Sequence, residues 1–448
     1  MTASRRLGAG AGFAGDRLDP AVDLVQRGAL DALVFECLAE RTITLAHQAR
    51  AEGRGPGYDG LLRERLAATL PAARRHGTLV VTNSGAADPR GAAQMVRDLA
   101  VELTLSDTVV ASVEGDDVLD RLSLPDSPVL GSRSGATLAD YAGRIVGANA
   151  YLGVRGICDA LAAGAHVVIT GRTSDAALFL GPLLHWFGWA DDDLDRVADG
   201  TLVGHLLECA GQLTGGYFAD GSPDDVPGLA RLGFPMADVT ADGSAEFSKL
   251  PGTGGRLDRA TTLEQLLYEV GDPAAYLTPD VTLDVTGVQI TETGPDRVRV
   301  HGARGTAAPD TLKVSVGVRD GWQGVGEISY AGPHALARGR LAAQVVTERW
   351  SDVHGLDDVP LRADLVGIDS CRPWAQLPAA EPPEVRVRLA VRSPEERPAV
   401  LLAREVEALY TNGPAGGGGV VTSVRPTLGL VSTTIDRREV EPVVTVFS

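Results

Sequence analysis

Five times in the first half of the chain a short apolar run ends in a polar loop. The runs are Ala32–Glu36, Thr78–Thr82, Thr108–Val113, Arg144–Tyr151 and His166–Thr170. Helical patterns separate them, among them Cys37–Ala51, Val154–Ala163 and Ala176–Phe187. Strands that alternate with helices and run in one direction are best accommodated by an open, largely parallel sheet with crossover helices. The fold class expected is therefore α/β.

The punctuation agrees with that reading. Asp19 and Pro20 are expected to start a helix, Asp19 as N-cap and Pro20 at the first helical position. Asp88 closes the turn Asn83–Pro89 and should cap the helix behind it. A helix beginning after Gly204 is expected to reach Gln212. Past residue 200 the character changes to glycine-rich turns and β-type alternation such as Arg297–His301 and Thr311–Val316. A helix from about Pro333 to Arg349 follows, then a βαβ-like stretch from Glu384 to Leu409. We expect a parallel α/β domain over 1–200, a β-rich α+β region over 201–350, and an α/β C-terminal segment over 351–448. A length of 448 residues calls for more than one core.

Charge narrows the partners. The net charge of −18 opposes binding to nucleic acid or to an anionic membrane. Only two of the 41 basic residues are lysines, Lys249 and Lys313, so a lysine at either position stands against a strong arginine habit. Cys37, Cys158, Cys209 and Cys371 show neither a disulfide framework nor zinc-ligand spacing, as in a reducing compartment. No signal-peptide pattern or membrane-length apolar window is present. The location expected is cytoplasmic, and burial of the sheet edges suggests a homo-oligomer.

Ten short blocks in order resemble the N-terminal domain of the acyclic terpene utilisation family, from about residue 6 to about residue 350. They include Gly8-Ala-Gly-Ala-Gly-Phe-Ala-Gly-Asp-Arg17, Phe35-Glu-Cys-Leu-Ala-Glu-Arg-Thr42 and Val81-Thr-Asn-Ser-Gly-Ala-Ala-Asp-Pro89. Further blocks are Ile169-Thr-Gly-Arg-Thr-Ser-Asp175, Gly204-His-Leu-Leu-Glu-Cys209, Thr214-Gly-Gly-Tyr-Phe218 and Lys249-Leu-Pro-Gly-Thr-Gly-Gly255. The resemblance implies a setting beside enzymes of terpene and branched acyl-CoA breakdown. Many relatives continue into a small ferredoxin-like domain carrying an Arg-Ser-Gly-Asp-Lys-Gly-type motif. That motif does not occur after residue 350, so such a domain is expected on a separate chain or replaced here.

Candidate chemistry concentrates where strands end, since open α/β sheets bind ligands at their carboxyl edge. In the opening loop Gly12, Asp16 and Arg17 either hold a substrate or CoA phosphate through backbone N–H groups or form a structural turn. A nicotinamide site is disfavoured because Thr2–Leu7 is a poor strand. Glu36 and Glu40 are candidates for acid–base work, with Glu36 paired to Arg41 or Arg17, or for a buried ion pair. Asn83, Asp116, Asn149 and Arg172 follow on neighbouring strand ends as substrate-binding groups, Arg172 suited to a carboxylate or phosphate. Asp175 reads as a helix cap. His205 and Cys209 share a helix face and offer an acid–base or nucleophile pair, or merely a helix start with a buried thiol. Lys249 either clamps an anion with its glycine turn or sits at an ordinary turn.

The expectation is an enzyme acting on an acyl-CoA or related carboxylate by lyase, hydratase or hydrolytic chemistry rather than oxidoreduction. It needs no cofactor and no metal, with a CoA thioester as a possible substrate. The alternative is a non-catalytic scaffold or accessory subunit in an acyl-CoA catabolic complex.

Overall fold

The computed structural model describes residues 4–222, 225–371 and 382–448. The chain divides into two compact units, residues 1–317 with 430–448, and residues 318–429. These boundaries fall elsewhere than the sequence divisions at 200 and 350.

In the first unit a ten-stranded sheet is built on five parallel strands. In chain order the strands are β1 (Ser4–Ala11), β2 (Ala32–Phe35), β3 (Leu79–Thr82), β4 (Val110–Glu114), β5 (Ile145–Ala150) and β6 (Val167–Thr170). Their order in space is β1-β2-β3-β6-β4, with β5 left out beside the strand Thr311–Ala331. Antiparallel strands flank the parallel core on both sides. β7 (Pro235–Thr240) pairs with β1 and carries β8 (Ala245–Lys249), while Val443–Phe447 pairs with β4. β2 and β6 are buried along their whole length, as strands covered on both faces should be.

Helices supply the cover: α1 (Asp19–Arg27), α2 (Glu40–Ala51), α3 (Leu62–His76), α4 (Pro89–Glu102), α5 (Arg155–Ala162), α6 (Ala177–Phe187), α7 (Leu194–Leu207) and α8 (Arg259–Leu267). The Asp88 carboxylate accepts from Gly91 N and caps α4 as expected. Asp19, in contrast, is the first helical residue of α1 and Leu18 its uncapped N-cap. Helix α7 starts ten residues before Gly204, with Asp193 as its cap. Gly204 is no helix start, because its bare Cα lets α7 lie against the Ala176 backbone, where a Cβ would come within 2.4 Å.

The opening glycines are not a loop throughout, since Gly8 and Gly10 lie inside β1. Thr2 and Ala3 of the supposedly poor strand lie outside the described residues. A Cβ on Gly8 would meet Leu30 at 2.6 Å, and one on Gly10 would meet the Phe35 ring at 2.7 Å. Close packing outweighs low β propensity here. Gly12 touches the Cys209 backbone, where a Cβ would sit 2.5 Å from the carbonyl carbon. Gly12→Ala is expected to cost about 1–3 kcal/mol, as overpacking against backbone usually does, seen as a lower urea midpoint with unchanged slope.

The second unit runs strand, helix, strand, strand, helix, strand. Its elements are Thr311–Ala331 from residue 318 onward, α9 (Ala335–Asp352), Leu361–Val366, Glu384–Ser393, α10 (Glu396–Asn412), and Gly418–Asp436 up to residue 429. Numbered within the unit, the spatial order is second, third, first, fourth. That is the split βαβ, ferredoxin-like arrangement. Both helices cover one sheet face, and Val346, Trp350, Leu402 and Val406 pack on Ile328, Tyr330, Val387 and Leu389. The α/β segment expected over 351–448 thus belongs to a unit that begins at residue 318 and has this arrangement without the Arg-Ser-Gly-Asp-Lys-Gly-type motif. Among the described residues no helix is long and apolar enough to cross a membrane.

Candidate active site at the carboxyl edge of the parallel sheet

The chain leaves β2 at Glu36, β3 at Asn83, β4 at Asp116 and β6 at Arg172, so parallel register alone brings these four polar residues to one rim. All four are buried. Asn83 Nδ2 donates to Glu36 Oε1 at 2.9 Å, and Asn83 Oδ1 accepts from Cys37 N at 2.7 Å. Glu36 Oε1 also accepts from Leu38 N at 2.8 Å. Neither Arg41 nor Arg17 is the partner expected for Glu36. Arg41 stands exposed, and Arg17 donates to Leu229 O. Burial raises the Glu36 carboxyl above its ordinary value, although the nearby Arg172 charge pulls the other way.

Asp116 Oδ2 accepts from Arg172 N at 2.8 Å and from Asn149 Nδ2 at 2.9 Å. Asn149 Oδ1 in turn lies 2.8 Å from His47 Nε2, which must donate to it. Burial pushes Asp116 up to about 7 in spite of these donors.

Arg172 is the bulkiest side chain that the described fold buries completely, at 1 % exposure. Its Nε and Nη2 donate to Thr173 O at 3.0 and 2.6 Å, its Nη1 to Leu38 O, and its Nη2 also to Asp175. The guanidinium stacks 4.4 Å from the centre of the Tyr151 ring. Lys313 lies 4.7 Å from that ring and donates to Glu40 at 3.0 Å, and the Tyr151 hydroxyl also donates to Glu40. Burial would raise Glu40, but these donors outweigh it and hold its carboxyl at about 2. Glu40 therefore stays ionised and orients Tyr151 and Lys313, instead of serving as an acid.

Asp175 is not the cap of α6, whose N-cap is Ala176. Its side chain keeps 35 % exposure, so it is the part of the Arg172 cluster that opens to solvent. Its carboxyl is raised well above the ordinary range by its desolvated setting, against the pull of Arg172 and with help from Glu36 and Glu208. Two carboxylates beside one arginine cannot both stay ionised cheaply, and a proton is shared between Glu36 and Asp175.

His205 joins the neighbourhood but offers no free nitrogen. Its Nε2 faces the Leu266 carbonyl at 3.1 Å and must donate, while Nδ1 faces Glu208 Oε1 at 2.9 Å. At 1 % exposure it ties α7 to α8, against the acid–base role expected for it. Burial and then Glu208 push the Cys209 thiol far above its ordinary value, so it is no ready thiolate.

Four other expected residues stand outside the cluster or are already engaged. The Asp16 carboxylate accepts from Gly12 N at 2.9 Å and Arg17 N at 2.8 Å. It occupies the N–H groups that a phosphate would have needed, and the opening loop carries its own anion. Lys249 Nζ donates to Thr253 O at 3.1 Å and pairs with Asp296 at 3.0 Å, fastening its own turn. Sequence reasoning gave no site role to Tyr151 or Lys313 and misassigned Asp175. Lys313 had a signal, as one of two lysines among arginines. Among the described residues no group of His, Cys, Asp or Glu has the arrangement to hold a metal ion.

The family model described as acyclic terpene utilisation family protein AtuA matches residues 5–446, well past the 350 to which the sequence blocks reach. No curated protein and no solved structure matches the chain.

Proposed function

We propose, from the premise that this chain belongs to the acyclic terpene utilisation family, an enzyme that moves a proton to or from an acyl-CoA or related carboxylate at the sheet rim. Membership points to a role in acyclic terpene utilisation. The chemistry and the substrate are the proposal. The observation that carries it is Asp175, open to solvent on one side, paired to the buried Arg172 on the other, with its proton affinity raised. A perturbed carboxyl held against an arginine is what general acid–base catalysis near neutrality requires. An acyl carbonyl or carboxylate arriving from solvent would compete with Asp175 for Arg172 Nη2, freeing the carboxyl to give up or accept a proton. Glu36 lies behind as the second carboxyl that keeps the shared proton in the cluster, and Tyr151 is fixed alongside by Glu40 and Lys313. Addition or elimination of water, or hydrolysis, fits such a pair.

A thermal-shift series with acyl-CoA thioesters and free acids tests binding, and Asp175→Asn tests chemistry. Saturable stabilisation is expected in both proteins, with turnover of the bound compound falling about 100-fold or more in the variant. The accessory-subunit reading has its own support, since the rim groups are satisfied internally, Asn83 by Glu36 and Cys37 N and Asn149 by Asp116 and His47. Absence of any shift, together with co-purification of a partner enzyme, would decide for that reading.

A further inference from the structure

The block Thr214-Gly-Gly-Tyr-Phe218 takes no part in the rim cluster, yet it holds a strained residue. Tyr217 has φ +65°, a left-handed conformation costly for an aromatic residue, and its side chain is 90 % exposed. The loop around it is tightly bonded. Gly216 N donates to Gly211 O at 2.8 Å, Gly215 N to Gln212 O at 3.0 Å, and the Thr214 hydroxyl to Gly233 O at 2.7 Å. Tyr217 is thus held out from the surface by a fixed scaffold.

Beside it lies a shallow, solvent-open depression walled by Tyr217, Phe218 and Tyr268, with Gln212, Glu264 and Gln265 also along its lining. Gln265 is 2 % exposed, its Nε2 donates to His205 O at 3.0 Å, and its Oε1 has no partner. Turning the amide over would set oxygen against oxygen, so the orphan oxygen is fixed in place. Gln212 Oε1 is a second buried acceptor without a partner. Arg256 lies 5.7 Å from the centre of the Phe218 ring and is paired with Asp258.

Aromatic faces, two unpartnered amide oxygens and the exposed Glu264 carboxylate together ask for positive charge and N–H donors. We propose that this depression is a binding site for a small organic cation bearing N–H groups, of the alkylammonium class. It is separate from the rim cluster and does not rest on the reading of that cluster.

The test titrates the full chain with n-propylammonium, tetramethylammonium and n-propanol at constant ionic strength, by ligand-observed NMR. Saturable binding of propylammonium is expected. Tetramethylammonium, equal in charge but without N–H groups, should bind about tenfold more weakly, the loss of one good hydrogen bond to a buried acceptor. Propanol should not saturate. Tyr217→Gly and Glu264→Gln should each weaken propylammonium about tenfold. Tyr217→Gly should do so with Tm unchanged or raised, since glycine accepts the left-handed backbone. No saturable binding of propylammonium, equal binding of propanol, or full affinity in both variants would overturn the proposal.

Discussion

Replacing Arg172 with methionine is expected to lower the unfolding free energy by about 3–5 kcal/mol, the usual cost of removing one partner from a buried charged network. The guanidinium is 1 % exposed and serves Leu38 O, Thr173 O and Asp175 at once. Methionine fills much of the volume but supplies no donor. Two carbonyls lose their hydrogen bonds, and Glu36 and Asp175 lose the positive charge between them. Urea unfolding at neutral pH measures the loss. Asp175→Asn should cost much less, because that side chain keeps 35 % exposure and an amide can still accept from Arg172. Equal losses in the two variants would show that the network is held from the solvent side, contrary to this account.

The second large effect is one of pH. Burial raises the Asp116 carboxyl from 3.8 in the unfolded chain to about 7 in the folded one. The native state therefore holds a proton that the unfolded state has released over that window. An acid raised in this way contributes stability that is fully present below about pH 4 and is lost as pH rises through 7. At 1.36 kcal/mol per unit the loss amounts to at most about 4 kcal/mol. Asp116→Asn removes the titration and keeps an acceptor for Arg172 N and Asn149 Nδ2. Unfolding free energies of the two proteins should lie close together near pH 4 and diverge toward pH 7, the variant becoming the more stable, with no further divergence above pH 8. Parallel curves across that range would rule out Asp116 as the titrating group. Asp199 and Asp280, both raised to about 6, are common to the two proteins and cancel in the difference.

Four strands of the parallel core, β2, β3, β4 and β6, were legible as apolar runs, whereas β1 opens on Ser-Arg-Arg and was hidden, and β5, read as one of the set, pairs elsewhere. The rim was legible for the same reason, since the residue after each apolar run must fall at the carboxyl edge. What escaped were strands and helices whose glycines serve packing rather than turning. In Thr311–Ala331 the alternation is legible only over its first residues, and the glycines beyond it hide the rest, yet a Cβ on Gly324 would meet Ala399 at 2.7 Å and one on Gly326 would meet Val406 at 2.6 Å. With that strand legible only at its start and Leu361–Val366 unnoticed, the ferredoxin-like arrangement had two of its four strands wholly or partly hidden. The site's misassignments have a different cause. Spacing along α7 put His205 and Cys209 together, but whether a ring nitrogen is free depends on Leu266, some sixty residues away. Likewise Asp175 looks like a cap until Arg172 claims its carboxylate.

The last strand of the first unit, Val443–Phe447, pairs with β4, whose own residues end at Glu114. During synthesis the whole of the ferredoxin-like unit must therefore emerge before β4 receives its outer neighbour. Until then the nascent sheet carries a bare edge of Val110-Ala-Ser-Val113, an apolar template for pairing with another chain. A ribosome slowed between the two units would leave that edge unpaired for longer, so the pace of translation through residues 318–429 bears on the yield of folded chain.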